Sequence, residues 1–181
     1  LSETGEIGIH TGNKVAYLNG ASSRATYIGA MPNSPVPVSN ADIRVTTSYT
    51  IGEDHVNIAT NGAFSLEPSL NNNFDSDIYF PRSTTVIGDS QNTLSSFRIG
   101  NFVPGFGDGH GYTGTRYIEM NRAFTVSGAI EINSGTFRFY QQLNAAGPVT
   151  IRSEFSTNLE GSIRISGQNQ DLRVYSEDLI Y

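Results

Sequence analysis

Cysteine and tryptophan are absent from this sequence, and lysine occurs once, at Lys14. Without cysteine there is no disulfide scaffold, no thiolate metal site and no thiol nucleophile. A chain of this kind folds equally well in reducing and oxidising surroundings, so cysteine usage leaves the compartment open. Charged residues are also scarce, at 15% of the 181 residues against the quarter usual in globular domains. The net charge is −6, which argues against a phosphate backbone as the main partner. No apolar run approaches the ~18 residues that span a bilayer, so membrane insertion is not expected. The opening LSETGEIGIH is polar and turn-rich, unlike a signal peptide. It starts at Leu1 without methionine, which points to trimming, maturation or an excised domain.

Uncharged polar residues fill the gap: 20 Ser, 16 Thr, 16 Asn and 19 Gly. Ser, Thr and Asn compete for backbone hydrogen bonds and Gly costs backbone entropy, so the composition disfavours helices and suits strands joined by tight turns. Asn-Gly, a strong hairpin signal, follows strand-like runs at Asn19-Gly20 and Asn61-Gly62. A third hairpin is expected to turn at Asn133-Ser134-Gly135, and short runs at 148–155, 162–166 and 172–175 read as a meander. Residues 31–40 hold three prolines and residues 104–114 (PGFGDGHGYTG) five glycines, so both read as irregular. The expectation is one all-β domain over residues 1–181, an antiparallel β-sandwich or jelly roll with long loops, in which residues 1–40 can serve as an extended arm. A short parallel β-helix or fibre-type β domain is the rival. It requires a repeat of about 20 residues or more, and no convincing self-similarity is visible.

Catalytic signals are thin. Thr85-Val86-Ile87-Gly88-Asp89-Ser90 resembles the nucleophile block of the SGNH or GDSL hydrolases, whose histidine base lies near the C-terminus. The histidines here are His10, His55 and His110, so the last 71 residues contain none and Ser90 lacks that base. The glycines around Phe106 precede a strand-like run rather than the helix a phosphate cradle needs. A surface loop carrying Phe106, His110 and Tyr112 as contact residues is expected instead. Acidic clusters at Asp75-Ser76-Asp77 and Glu53-Asp54-His55 lack EF-hand spacing, and zinc lacks enough histidines, so neither a metal nor a cofactor is expected.

Arginine carries the most information. Arg44, Arg98, Arg138, Arg164 and Arg173 each stand between two apolar residues, and Arg152 follows Ile151. Successive strand side chains point to opposite faces, so the neighbours face a core and each Arg faces away from it. Phe137, Phe139, Val149, Ile151, Ile163, Ile165, Leu172 and Val174 are therefore predicted to be buried. Arg138, Arg152, Arg164 and Arg173 are predicted to form a ladder beside Glu131, Glu154 and Tyr175. They either face solvent or pair with carboxylates of another subunit or an acidic ligand, where a guanidinium fork is favoured over lysine.

The blend of Asn-Gly turns, short β runs and a glycine-rich loop in a chain free of Cys and Trp resembles bacteriophage structural proteins: fibre, spike, capsid and head-decoration domains. That resemblance implies a non-enzymatic virion or extracellular component that assembles as a homo-oligomer or with other virion proteins and can contact a host glycan or receptor. The alternatives are an extracellular filament or adhesin subunit and a carbohydrate-binding module.

Overall fold

A computed structural model describes residues 6–17, 26–30, 39–51, 56–68, 78–80, 86–88, 92–100, 117–167 and 171–180. Among them there is no helix, and every strand pairing is parallel. The antiparallel sandwich or jelly roll is thereby overturned: the chain winds as a parallel β-helix, each coil stacking on the one before.

One interior column shows the winding. β1 (Glu6–Tyr17) sets Ile7 beside Ile43 of β3 (Asp42–Ile51), which lies beside Phe64 of β5 (Ala63–Pro68). Phe64 meets Phe97 of β8 (Ser96–Gly100), and Phe97 meets Ile130 of β11 (Ile130–Phe139). The column ends with Val149 of β13 (Val149–Leu159) and Leu172 of β15 (Leu172–Tyr175). The steps along it are 36, 21, 33, 33, 19 and 23 residues. A second interior column two residues on runs Ile9, Val45, Leu66, Ile99, Ile132, Ile151 and Val174. At a strand spacing of ~4.8 Å, six steps make a rod roughly 30 Å long.

Each full coil visits three faces. The first is the sheet just traced. The second is built from β6 (Ile78–Phe80), β9 (Tyr117–Met120), the later halves of β11 and β13, and β16 (Asp178–Ile180). The third comprises β2 (Thr26–Gly29), β4 (Val56–Ala59) and β7 (Val86–Ile87), then β10 (Phe124–Val126), β12 (Gln142–Ala145) and β14 (Ser162–Ile165). The predicted turn at Asn133-Ser134-Gly135 lies inside β11, at the bulge where Ser134 pairs with Ser153 and Thr136 with Ser156. Here the strand passes from the first face to the second. The 148–175 meander is corrected likewise: β13 and β15 pair with each other in parallel, and β14 belongs to another face.

Asn61-Gly62 is a corner, not a hairpin. Thr60 Oγ1 donates to the carbonyl oxygens of Ala41 (2.6 Å) and Ser39 (3.1 Å). Asn61 Oδ1 accepts from the Thr93 amide at 2.8 Å, in the next coil. The corner's side chains thus bond along the rod axis, satisfying backbone groups that no sheet pairs. A hairpin would instead set β4 against β5, which lie on different faces. The Asn19-Gly20 turn lies outside the described residues, although β1 and β2, which flank it, also lie on different faces. Coil contact is close enough to demand glycine at Gly100, where φ is +118° and an added Cβ would lie 1.9 Å from the Asn133 carbonyl oxygen.

The core fills the tube between the faces. Phe64, Phe97, Phe137, Phe139, Val149 and Ile151 have no exposed surface. Phe64 stacks on Phe97 at 5.5 Å, and Phe137 lies near-parallel to Phe139 at 6.4 Å. The burial expected of the remaining residues is corrected by their position in the last described coils. Ile163, Ile165 and Val174 are partly buried, and Leu172 is 47% exposed. Leu172 points inward, but its coil is the last described, so its axial side is uncovered.

Candidate functional site

The outward positions of the first face form rows, because parallel stacking sets equivalent residues side by side. The central row reads Gly8, Arg44, Ser65, Arg98, Glu131, Thr150 and Arg173. Glu67, two residues beyond Ser65, bridges Arg44 (3.6 Å) and Arg98 (3.7 Å), and Arg98 Nε reaches Glu131 at 3.2 Å. Ser65 leaves a dip between the two arginines, a groove of about 330 Å³. Ala63, Ser65 and Ser96 contribute its small residues, and Glu6, Asp42, Arg44, Glu67 and Arg98 its charges.

The four predicted arginines do not make one ladder. Arg173 lies in the central row and pairs with Asp171 of its own coil. Arg152 lies one row over, beside Tyr175, with its guanidinium 5.3 Å from that ring's centroid. Arg138 is on the second face, next to Glu119 in register, and stacks over Tyr117 at 5.5 Å. Tyr117 in turn donates to Glu119, and burial followed by that hydrogen bond holds its phenol well above the ordinary range. Arg164 is exposed on the third face, beside Asn144 and apart from the others. All four point away from the core, as alternation requires. Phe106, His110 and Tyr112 lie outside the described residues, as do Ser90 and the acidic clusters at 53–55 and 75–77.

Sequence reasoning missed Glu67 as the central anion and Tyr117 as a stacking platform. The alternation Phe64-Ser65-Leu66-Glu67 already marks Glu67 as outward, but its partners stand 23 residues before it and 31 after it. Only the coil register brings them together.

Glu154 is a perturbed carboxylate on this surface. It occupies the corner between the first and second faces, in the bulge where Glu154 and Phe155 lie opposite Gly135. Burial, and then the nearby charge of Glu177, raise its pKa above the usual carboxylate range. Its Oε2 is buried without a hydrogen-bond partner. Among the described residues no group of three or more His, Cys, Asp or Glu side chains could hold a metal ion. The arrangement is chemically suited to non-covalent recognition: guanidinium forks, carboxylates and aromatic faces displayed in rows on a parallel stack of strands. Comparison with known protein families, curated proteins and solved structures gave no match.

Proposed function

We propose that this chain is a non-enzymatic structural component of a virion, of the fibre, spike, capsid or decoration kind, that assembles through its β-rich outer surfaces. The observation that carries the reading is the parallel stack itself, with two apolar columns following the rod through seven coil levels. Inter-strand hydrogen bonds in such a stack run along the rod axis, so axial load is shared by whole ladders of bonds. The outer rows, meanwhile, are free to be decorated for contact. The virion surface or the extracellular space is the corresponding location, and copies of the chain, other virion proteins and a host-surface glycan or receptor are the corresponding partners. Nucleic acid and membrane insertion have no place in this reading. The test is genomic: neighbouring reading frames should encode capsid, portal and tail parts, and a neighbourhood of metabolic enzymes overturns the proposal.

A carbohydrate-binding role, alone or within a filament or adhesin subunit, is favoured by one feature, the groove over Ser65. Its guanidinium and carboxylate groups can donate to and accept from sugar hydroxyls. Glycan-array binding that is lost in Ser65→Arg would support this second reading, and no binding to any glycan would remove it.

A further inference from the structure

Three outward positions on adjoining strands of the first face carry small side chains: Ala63 and Ser65 of β5 and Ser96 of β8. They floor the groove of about 330 Å³. The groove lies in mid-stack. β3, β5 and β8 each have a paired strand on either side, so it owes nothing to an uncovered coil. Longer side chains surround the floor. Arg44 stands one coil before Ser65 and Arg98 one coil after it, so their stems start roughly 10 Å apart, twice the strand spacing. Asp42, with Glu6 beside it in register, forms another rim, and its carboxylate accepts from the Ala63 amide at 2.8 Å.

The walls carry both signs. Glu67 is held between Arg44 at 3.6 Å and Arg98 at 3.7 Å, and its side chain is only 20% exposed. An acceptor and two donor forks are thus set in place before any ligand arrives, which lowers the cost of ordering them. An anionic ligand would bring its charge against the carboxylates of Glu6, Asp42 and Glu67. A cation would find Glu67 already bridged by two guanidiniums and Asp42 bonded to the Ala63 amide. A hydroxyl meets neither penalty. It donates and accepts, so two neighbouring hydroxyls can satisfy a carboxylate and a guanidinium together. Among the described lining residues the one aromatic, Phe64, is fully buried, so recognition rests on hydrogen bonds and not on ring stacking.

We propose that this groove binds an uncharged saccharide unit, seated on Ala63, Ser65 and Ser96 and hydrogen-bonded by Arg44, Glu67 and Arg98. The inference rests on the carbohydrate reading above and narrows it to neutral sugars. The volume stands at the low end of the ~300 to 1,000 Å³ usual for ligand pockets, which limits the unit to one or two rings. Ser65 and Ser96 add hydroxyls that can donate to and accept from the same ring.

The test is a glycan array that carries neutral oligosaccharides beside sulfated, sialylated and uronate forms of the same cores, probed with the purified 181-residue chain. Neutral forms should bind, and each charged form at least about tenfold more weakly than its parent core. Ser65→Arg fills the floor and should lower neutral binding by at least about tenfold. Ala63→Leu fills it without changing any charge, should do the same, and serves as the second variant should Ser65→Arg misfold. Melting curves of both should stay near that of the parent, because the two positions face outward. Charged forms that bind as strongly as their neutral parents overturn the inference and leave the carbohydrate reading standing. Neutral binding untouched in both variants also overturns it, since the sugar then sits elsewhere. No binding to any glycan removes the inference and the carbohydrate reading together. The virion reading is judged separately, by the neighbouring genes.

Discussion

Phe137 and Leu172 show how far a single residue's fate depends on its level in the stack. Both are apolar, both flank an arginine and both point inward, yet Phe137 has no exposed surface and Leu172 keeps 47%. Phe137→Ala or Phe139→Ala should cost roughly 3 to 5 kcal/mol, because coils above and below hold the cavity open. Leu172→Ala should cost well under half of that. Urea melts of the three variants check the contrast, and equal losses would refute the assignment of Leu172 to the uncovered side of the last described coil. Glu154 gives a residue-scale prediction in pH. Its raised pKa means that the folded chain binds a proton more readily than the unfolded one, so this group's contribution to stability falls as pH rises from the ordinary carboxylate value through the raised one. Glu154→Gln should leave the melting temperature unchanged below about pH 4 and raise it at pH 7. A variant that is less stable at pH 7 would contradict the sign.

At the scale of the element, strands here are specified by alternation and tied together by rows. The charged row over β3, β5, β8 and β11 looks extensive, but the side chains of Arg44 and Arg98 are 50% and 40% exposed. Exposed pairs contribute ~0 to 1 kcal/mol and are screened by salt. Arg98→Lys, which loses the fork between Glu67 and Glu131, should therefore lower stability by no more than about 1 kcal/mol, and by less in high salt. A larger, salt-independent loss would mean that the row supports the fold rather than decorates it. Corners matter in a different way. Thr60 and Asn61 bond to neighbouring coils through side chains, which gives the high Ser, Thr and Asn content a purpose that hairpin chemistry does not.

For the whole molecule, stability is a sum over coil interfaces, each coil touching mainly the one before and the one after. The two coils beginning at Ile130 and Val149 are short, and Phe137, Phe139, Leu143, Val149 and Ile151 of their interior are fully buried, while Ile163 and Ile165 are partly buried. The last described coil is covered on one side only, and its inward Leu172 and Leu179 remain exposed. Amide exchange should accordingly be slowest in residues 130–151 and fastest, among the described residues, in 172–180. Mass spectrometry of exchanged peptides reads this gradient directly. Uniform protection along the chain would show that the rod opens in one step and not from its end.

The sequence by itself determined which side of each strand faces in. Ile43-Arg44-Val45, Phe97-Arg98-Ile99 and Phe137-Arg138-Phe139 alternate, and alternation is a local property that burial of one face enforces. Composition likewise pointed to strands without helices. Whether the strands pair antiparallel with sequence neighbours or parallel with the next coil was decided by tertiary structure alone. The coil steps vary from 19 to 36 residues, so stretches of very different length hide a repeat whose equivalent residues nonetheless stack in register. Asn61-Gly62 reads locally as a hairpin, because the signal describes only the turn. Its role as a corner depends on Ser39, Ala41 and Thr93, which reach it from the coils on either side. For the same reason alternation could turn Arg44, Glu67, Arg98 and Glu131 outward, while only the winding of the chain could set them in contact.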